Sequence, residues 1–390
     1  MWALVENEFL KFMRSKKFLI FILSLTIVFI YGGFSVYHEA NGKRPENLID
    51  SNNKTVAVLR ENLRYDNFDG DKDEVLKNIE SLEKQNETYQ KEISNMFKDK
   101  DEYIKGKRAI LENQKKNKEL ESDTIKQEEI RGELEYYNYV STKNFKPKRE
   151  YEINAFEDIS KVISTVSIIL IPILIIFAAS DLVSGEYDAS TIKLLLAKPI
   201  SRAKIIISKF ISSILIIIAT ITLVELATFL ILGFSIEFGN YNAPILVGTK
   251  YTFQNSEASA VLGSTYLMEA WKVIAITWLL QVVFIISSVA FALLLSTLFK
   301  NTVTALGISA IAVAIFSLLT FFMPFPFMKN IYPIVFTTYS SGLDVLTGNL
   351  NMNLGSSSIS ITFGIVTMIL WAVFSFVASY KIFTTEDVLT

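Results

Sequence analysis

Apolar and polar residues are sorted along this chain into blocks much longer than a helical turn, and the blocks predict the architecture. Six apolar runs, residues 18–37, 159–180, 210–234, 271–298, 302–323 and 361–380, each reach the roughly 20 residues that a bilayer-crossing helix needs. Before the first of them, Trp2, Val5, Phe9, Phe12 and Met13 recur at helical spacing, with Glu6, Glu8, Lys11 and Arg14 largely elsewhere. That pattern predicts an amphipathic helix lying in the membrane interface. The first run is long for the apolar part of a signal peptide and five more follow, so a retained span is expected. Pro172 falls inside the second run, where spans tolerate proline. Only Phe299, Lys300 and Asn301 part the fourth run from the fifth, which predicts a tight helical hairpin.

From His38 to Asp158 the pattern changes to Lys, Glu, Asn and Asp. Within it Val75, Ile79, Leu82, Asn86, Tyr89, Ile93 and Met96 recur at spacings of four and three, a heptad seam with one polar member. A weaker series, Leu120, Gln127, Ile130, Leu134 and Tyr137, keeps the same period. A turn at the DKDE around residue 100 would fold the two back as an antiparallel hairpin, a stalk roughly 35–50 Å long at the helical rise. A partly disordered charged loop is the alternative. Asn53 and Asn86 open glycosylation-type sequons, patterns too short to carry weight. Residues 235–268, with Gly239, Pro244, Gly248 and Gly263, read as a loop; Pro324, Pro326 and Pro333 open a further broken stretch that runs to Ser360.

The expected fold class is thus an all-α polytopic membrane protein. It comprises an interfacial helix and first span in 1–37, a helical insert in 38–158, and the other five spans in 159–390. Lys11, Arg14, Lys16 and Lys17, then Lys193, Lys198, Arg202, Lys204 and Lys209, and finally Lys300 and Lys381, flank one side of these spans. The opposite short loops offer Lys250 and Lys329, so the positive-inside rule puts both termini in the cytosol and the insert outside.

Composition narrows the chemistry. A mean hydropathy of +0.34 is beyond what a soluble core requires, and a net charge of −2 argues against a nucleic-acid partner. No Cys occurs, which excludes disulfides and thiolate sites, and the single His38 builds no His-rich metal site. Neither a phosphate-binding loop nor a dinucleotide or zinc-protease motif is present. The chain is expected to bind no cofactor, to catalyse nothing by itself, and to take its energy from another subunit. Among intramembrane polar residues, Glu225 is the clear acid and Gln281 the main neutral one. Glu225 either faces a translocation path or lies about 22 Å along its helix from Phe210, near the outer headgroups and water. Gln281 is either a path residue or an interhelical hydrogen bond.

One polar and basic island, Asp181 to Lys209, interrupts the apolar pattern on the cytosolic side. Asp188 or Ser190 can cap a short helix that opens with Thr191 and Ile192; Leu194, Leu195 and Leu196 form an apolar knob. Pro199 stops that helix, and Ser201 can cap the next, which passes through Arg202 into the third span. A short helix with a Leu tip suits docking into a partner's groove.

The island resembles the cytosolic loop between spans two and three of ABC-2 type transporter membrane subunits. The matching positions are Glu186, Thr191, Leu194 to Leu196, Pro199, Ser201 and Arg202; the family often has Gly where Ser190 stands. The amphipathic N-terminal helix, six spans, tight fourth-to-fifth turn and re-entrant stretch before span six are similar too. The large insert at 38–158 sets the chain in a subgroup. The resemblance implies a permease that pairs with a second copy or a homologue as a dimer and with two cytosolic ABC ATPases, which hold ATP and Mg. Their closure would push on the island as a coupling helix, and export of an amphipathic peptide, lipid-like compound or drug is the implied direction, with sodium extrusion as a variant. The absence of Cys and the Ile, Lys and Asn bias point to a bacterial plasma membrane. A membrane-anchored sensor or scaffold with an outer binding stalk is the competing reading.

Overall fold

The computed structural model describes residues 1–64, 72–95, 99–116, 123–192, 200–254, 257–321 and 325–385. Helices α1 (Trp2–Met13) and α2 (Lys16–Gly42) meet at a corner set by Ser15. Its Oγ accepts the Phe18 N–H at 3.1 Å and donates to the Phe12 carbonyl at 2.6 Å. Helix α2 buries Phe21, Leu25, Phe29, Gly32, Val36 and Ala40, a stripe at spacings of three and four. Gly32 permits close packing on the second span, since a Cβ there would lie 2.6 Å from Val166 Cγ1.

The insert corrects the expected hairpin. Helix α3 (Pro45–Asn62) packs on α4 (Lys72–Asn95), and α5 (Lys100–Lys115) packs on α6 (Thr124–Thr142), giving two pairs. The heptad seam lies on α4, but its partner is the neighbouring helix α3, because closing a short connection costs less chain entropy than bringing α4 to α6. Asn86 in the seam meets amides: Asn52 donates to it at 2.9 Å and it donates to Asn53 at 2.9 Å. Asp99 of the DKDE segment accepts the Lys100 N–H at 2.8 Å as the N-cap of α5. Ile130 and Tyr137 of α6 share a small core with Tyr103, Ile104 and Leu111 of α5. Met96 and Leu120 lie outside the described residues.

The second apolar run is broken. Helices α7 (Ala155–Ser167) and α8 (Leu170–Ala179) are bent by 62°. Pro172 has no N–H to donate and its ring crowds the carbonyl four residues earlier, at Ile168, which puts the break where it is found. After the five-residue α9 (Ser184–Asp188), helix α10 (Arg202–Ser235) runs unbroken for 34 residues.

The stretch after α10 is not an irregular loop. It carries β1 (Pro244–Val247), β2 (Tyr251–Gln254), β3 (Glu257–Ala260) and β4 (Tyr266–Glu269), with β1 pairing antiparallel to β4 and β2 to β3. Gly248, at φ +82°, turns the chain between β1 and β2. Strands of four residues are too short to show an alternation that sequence alone can register. This hairpin receives α6, whose Glu128 carboxylate accepts the N–H groups of Gly263 and Thr265 at 2.7 Å each.

Helices α11 (Ala270–Leu298) and α12 (Thr302–Phe321) are joined by the expected tight turn. Residues 326–354 then form three 3₁₀ turns and the short helices α13 (Gly342–Thr347) and α14 (Asn349–Leu354). These bury Tyr332, Phe336 and Tyr339, and several of the polar groups they carry are bonded internally, while Thr337 Oγ1 and Ser340 Oγ are buried with no hydrogen-bond partner among the described residues. The Tyr339 hydroxyl donates to the Pro333 carbonyl at 2.7 Å, and Thr338 Oγ1 to the Tyr332 carbonyl at 2.8 Å. The last helix, α15 (Ile361–Thr385), continues past Lys381 and packs extensively on α11. Among the described residues, five helices are long and apolar enough to cross a membrane, six if the bent pair counts as one span.

Candidate functional site

The island begins where α8 ends, and its first residues are fastened before any charge is considered. The N–H groups of Val183 and Ser184 both donate to Ser296 Oγ of α11 at 3.0 Å. Val183, Ile192, Ile205, Ile206, Leu293 and Phe383 form an apolar cluster that ties both described ends of the island to α10, α11 and α15. Against this anchor, α9 presents Glu186 inward.

Glu186 is 6% exposed and is the centre of an ion cluster. Its Oε1 lies 2.5 Å from Lys11 Nζ of α1 and 2.8 Å from Lys209 Nζ of α10, and its Oε2 accepts Thr191 Oγ1 at 2.5 Å. Lys209 also reaches Glu8 of α1 at 3.0 Å, and Lys17 meets Asp181 at 2.5 Å. The three lysines face three carboxylates around a cavity of about 270 Å³. Burial works to raise the Glu186 carboxyl, but Lys209, Lys11 and Thr191 outweigh it and hold it at about 2. Lys11 is correspondingly raised: burial lowers it, and the Glu186 contact prevails. Three sequence-distant elements, α1, α9 and α10, are thereby fixed to one carboxylate.

Of the positions the sequence singles out, the structure brings Glu186 and Thr191 together, and Thr191 also donates its N–H to the Glu186 carbonyl at 3.0 Å. Ser201 occupies the N-cap position of α10, yet its side chain makes no capping bond; its carbonyl accepts the Lys204 N–H at 3.0 Å. Arg202 is the first residue of α10. Leu194, Leu195, Leu196 and Pro199 lie outside the described residues. Asp188 does not cap the helix expected after it: its carboxylate accepts the Thr302 N–H at 2.8 Å, at the start of α12. The contributions of Glu8, Lys11, Lys17 and Lys209 are not legible in sequence, because Lys11 and Glu186 are 175 positions apart.

Ser190 ends α9 with a φ of +55°, donating its N–H to the Tyr187 carbonyl at 2.9 Å. Together with the Thr191 bond this is a Schellman closure with Ser where Gly is the usual choice. Ser190→Gly is expected to raise the thermal midpoint by roughly 1–2 °C, since left-handed backbone costs a non-glycine residue ~1 kcal/mol. A lowered midpoint in a melt of the purified protein would contradict this.

Glu225 and Gln281 also come together. Gln281 Nε2 of α11 donates to Glu225 Oε1 of α10 at 2.6 Å, with both side chains buried at 4% and 5% exposure respectively. One turn away Trp278 Nε1 donates to Thr222 Oγ1 at 3.1 Å. A Glu225 that reaches water among headgroups does not fit this burial; the pair is an interhelical bond between α10 and α11.

A model of the ABC-2 family transporter proteins matches residues 2–388. No curated protein matches the chain. With the match running over nearly every residue of a multi-pass helical fold, the chain belongs to the ABC-2 transporter family, as a membrane subunit of the ABC permease kind.

Proposed function

We propose that this chain is the permease of an ATP-driven exporter, working as a dimer with a second copy or a homologue, and that the island 181–209 is its power-input joint. Cytosolic ABC ATPases hold the ATP and Mg and hydrolyse the nucleotide; this chain moves the substrate. Both termini lie in the cytosol of a cell whose plasma membrane holds the six spans, and the insert projects outside. The observation that carries this reading is the Glu186 cluster, which couples α9 to α1 and α10 at the point where a push on the island would enter the spans. Co-purification with a cytosolic ATPase tests it. Leu195→Asp and Arg202→Glu are each expected to lose the partner and its stimulated hydrolysis at least tenfold; unchanged association in both would leave the sensor or scaffold reading standing.

The path lies beside the Glu225–Gln281 pair, and the substrate is an amphipathic peptide, lipid-like compound or drug. Glu225→Gln keeps the shape and one hydrogen-bonding pattern, so it is expected to slow transport in proteoliposomes by tenfold or more while the thermal midpoint barely moves. Equal transport would take Glu225 out of the path. The same vesicles loaded with sodium separate the ion-extruding variant.

A further inference from the structure

The corner between α1 and α2 has two faces of different electrostatic character. On the inner face Lys11, Lys17 and Lys209 each meet a carboxylate. On the outer face Arg14 and Lys16 are exposed, and neither has an ion pair among the described residues. A cavity of about 490 Å³ opens beside them, walled by Phe18, Leu19, Ile22 and Leu23. It shares Met13, Phe18 and Ile22 with a groove of about 660 Å³ between α2 and α10, which continues past Thr26 and Ile30 to Gly33 and Phe34. From Ile22 to Phe34 is about 18 Å of helix, a little more than half of the ~30 Å hydrocarbon thickness.

We infer that this corner and groove hold one anionic phospholipid, with its phosphate between Arg14 and Lys16 and one acyl chain lying along α2 and α10. The argument is complementarity along the length of the ligand. Two uncompensated cations stand where the apolar groove begins, Arg14 offers a guanidinium fork that matches phosphate oxygens, and the groove beyond has the length of one leaflet's chain. A zwitterionic headgroup would set its own cation against Arg14 and Lys16. Bound in this way, the lipid would brace α1 against α2 and α10, the helices whose other faces hold the Glu186 cluster.

The test is native mass spectrometry of the full chain in detergent, titrated with phosphatidylglycerol or with phosphatidylcholine of the same acyl chains. Wild type should retain phosphatidylglycerol preferentially. The double substitution Arg14→Gln/Lys16→Gln should weaken that binding roughly 25-fold, about fivefold for each charge, and leave phosphatidylcholine unchanged. Gly33→Phe should weaken both lipids, since a Cβ at Gly33 meets no atom within 4 Å and the ring can enter the groove without displacing the packing. Equal retention of the two lipids by wild type, or phosphatidylglycerol binding unchanged in the double variant, would overturn the inference. So would a Gly33→Phe protein that keeps its lipid, and one that changes only from dimer to monomer would assign the groove to a second copy of the chain.

Discussion

Replacing Glu186 with Gln is expected to lower the unfolding free energy by about 1–3 kcal/mol, the usual cost of leaving a buried polar group one partner short. The group left short of a partner is Lys209, whose side chain is 4% exposed and which, among the described residues, would keep the Glu8 carboxylate alone. Because the Glu186 carboxyl is held at about 2 against an ordinary 4.5, its contribution has a defined pH window. The pKa is lower in the folded state, so the stabilisation is complete above about pH 4.5 and is lost as pH falls toward about 2. Melts at a series of pH values should therefore show wild type losing stability through that window more steeply than Glu186→Gln. Adding Lys209→Met should restore part of the midpoint, because an apolar side chain needs no counter-ion. Identical midpoints and acid slopes for wild type and Glu186→Gln would show that the cluster does not hold the joint together. On the proposed reading, the same variant also loses transmission from the island to α1, so stimulated hydrolysis and transport should fall together.

The second large effect is expected far from the island. Glu128 of α6, 1% exposed, accepts two bonds from Arg131 at 2.8 Å as well as the two from the β-hairpin. Arg131 in turn reaches Glu135 at 2.8 Å and donates to the Thr265 carbonyl. Burial would raise the Glu128 carboxyl, and Arg131 with the Thr265 and Gly263 N–H groups overcomes it, leaving it at about 2. Glu128→Gln turns one acceptor oxygen into a donor facing a backbone N–H, with a cost of about 3 kcal/mol or more. Hydrogen exchange should report it locally: amides in residues 124–142 and 257–269 are expected to lose protection by roughly a hundredfold, with α2 and α11 unaffected. Wild type should lose the same protection between about pH 4.5 and 2. Unaltered exchange in Glu128→Gln would mean that other contacts suffice to keep the insert on the membrane part.

These two carboxylates also mark the limit of what local sequence can reveal. The amino-acid order by itself determined the blocks: where apolar runs exceed 20 residues, a helix in or across the membrane follows from the cost of unpaired backbone groups in hydrocarbon. It determined the tight α11–α12 turn, the α4 seam around Asn86, and the position of the island. Pro172 was visible as well, but whether its missing N–H is absorbed or breaks the span depends on neighbouring packing, and here the helix bends by 62°.

Only the tertiary structure decided which elements meet. The α4 seam is satisfied by α3, the four short strands form where no alternation announced them, and Asp188 serves α12 in place of its own segment. Glu186 was legible as a position in a pattern, while Lys11 and Lys209 were only charges on helices until folding brought them within 2.5 and 2.8 Å of it. The physical reason is range. Hydropathy and backbone satisfaction act on contiguous residues and are written in their order, whereas a buried ion cluster depends on groups up to 201 positions apart that are near one another only after the spans have packed.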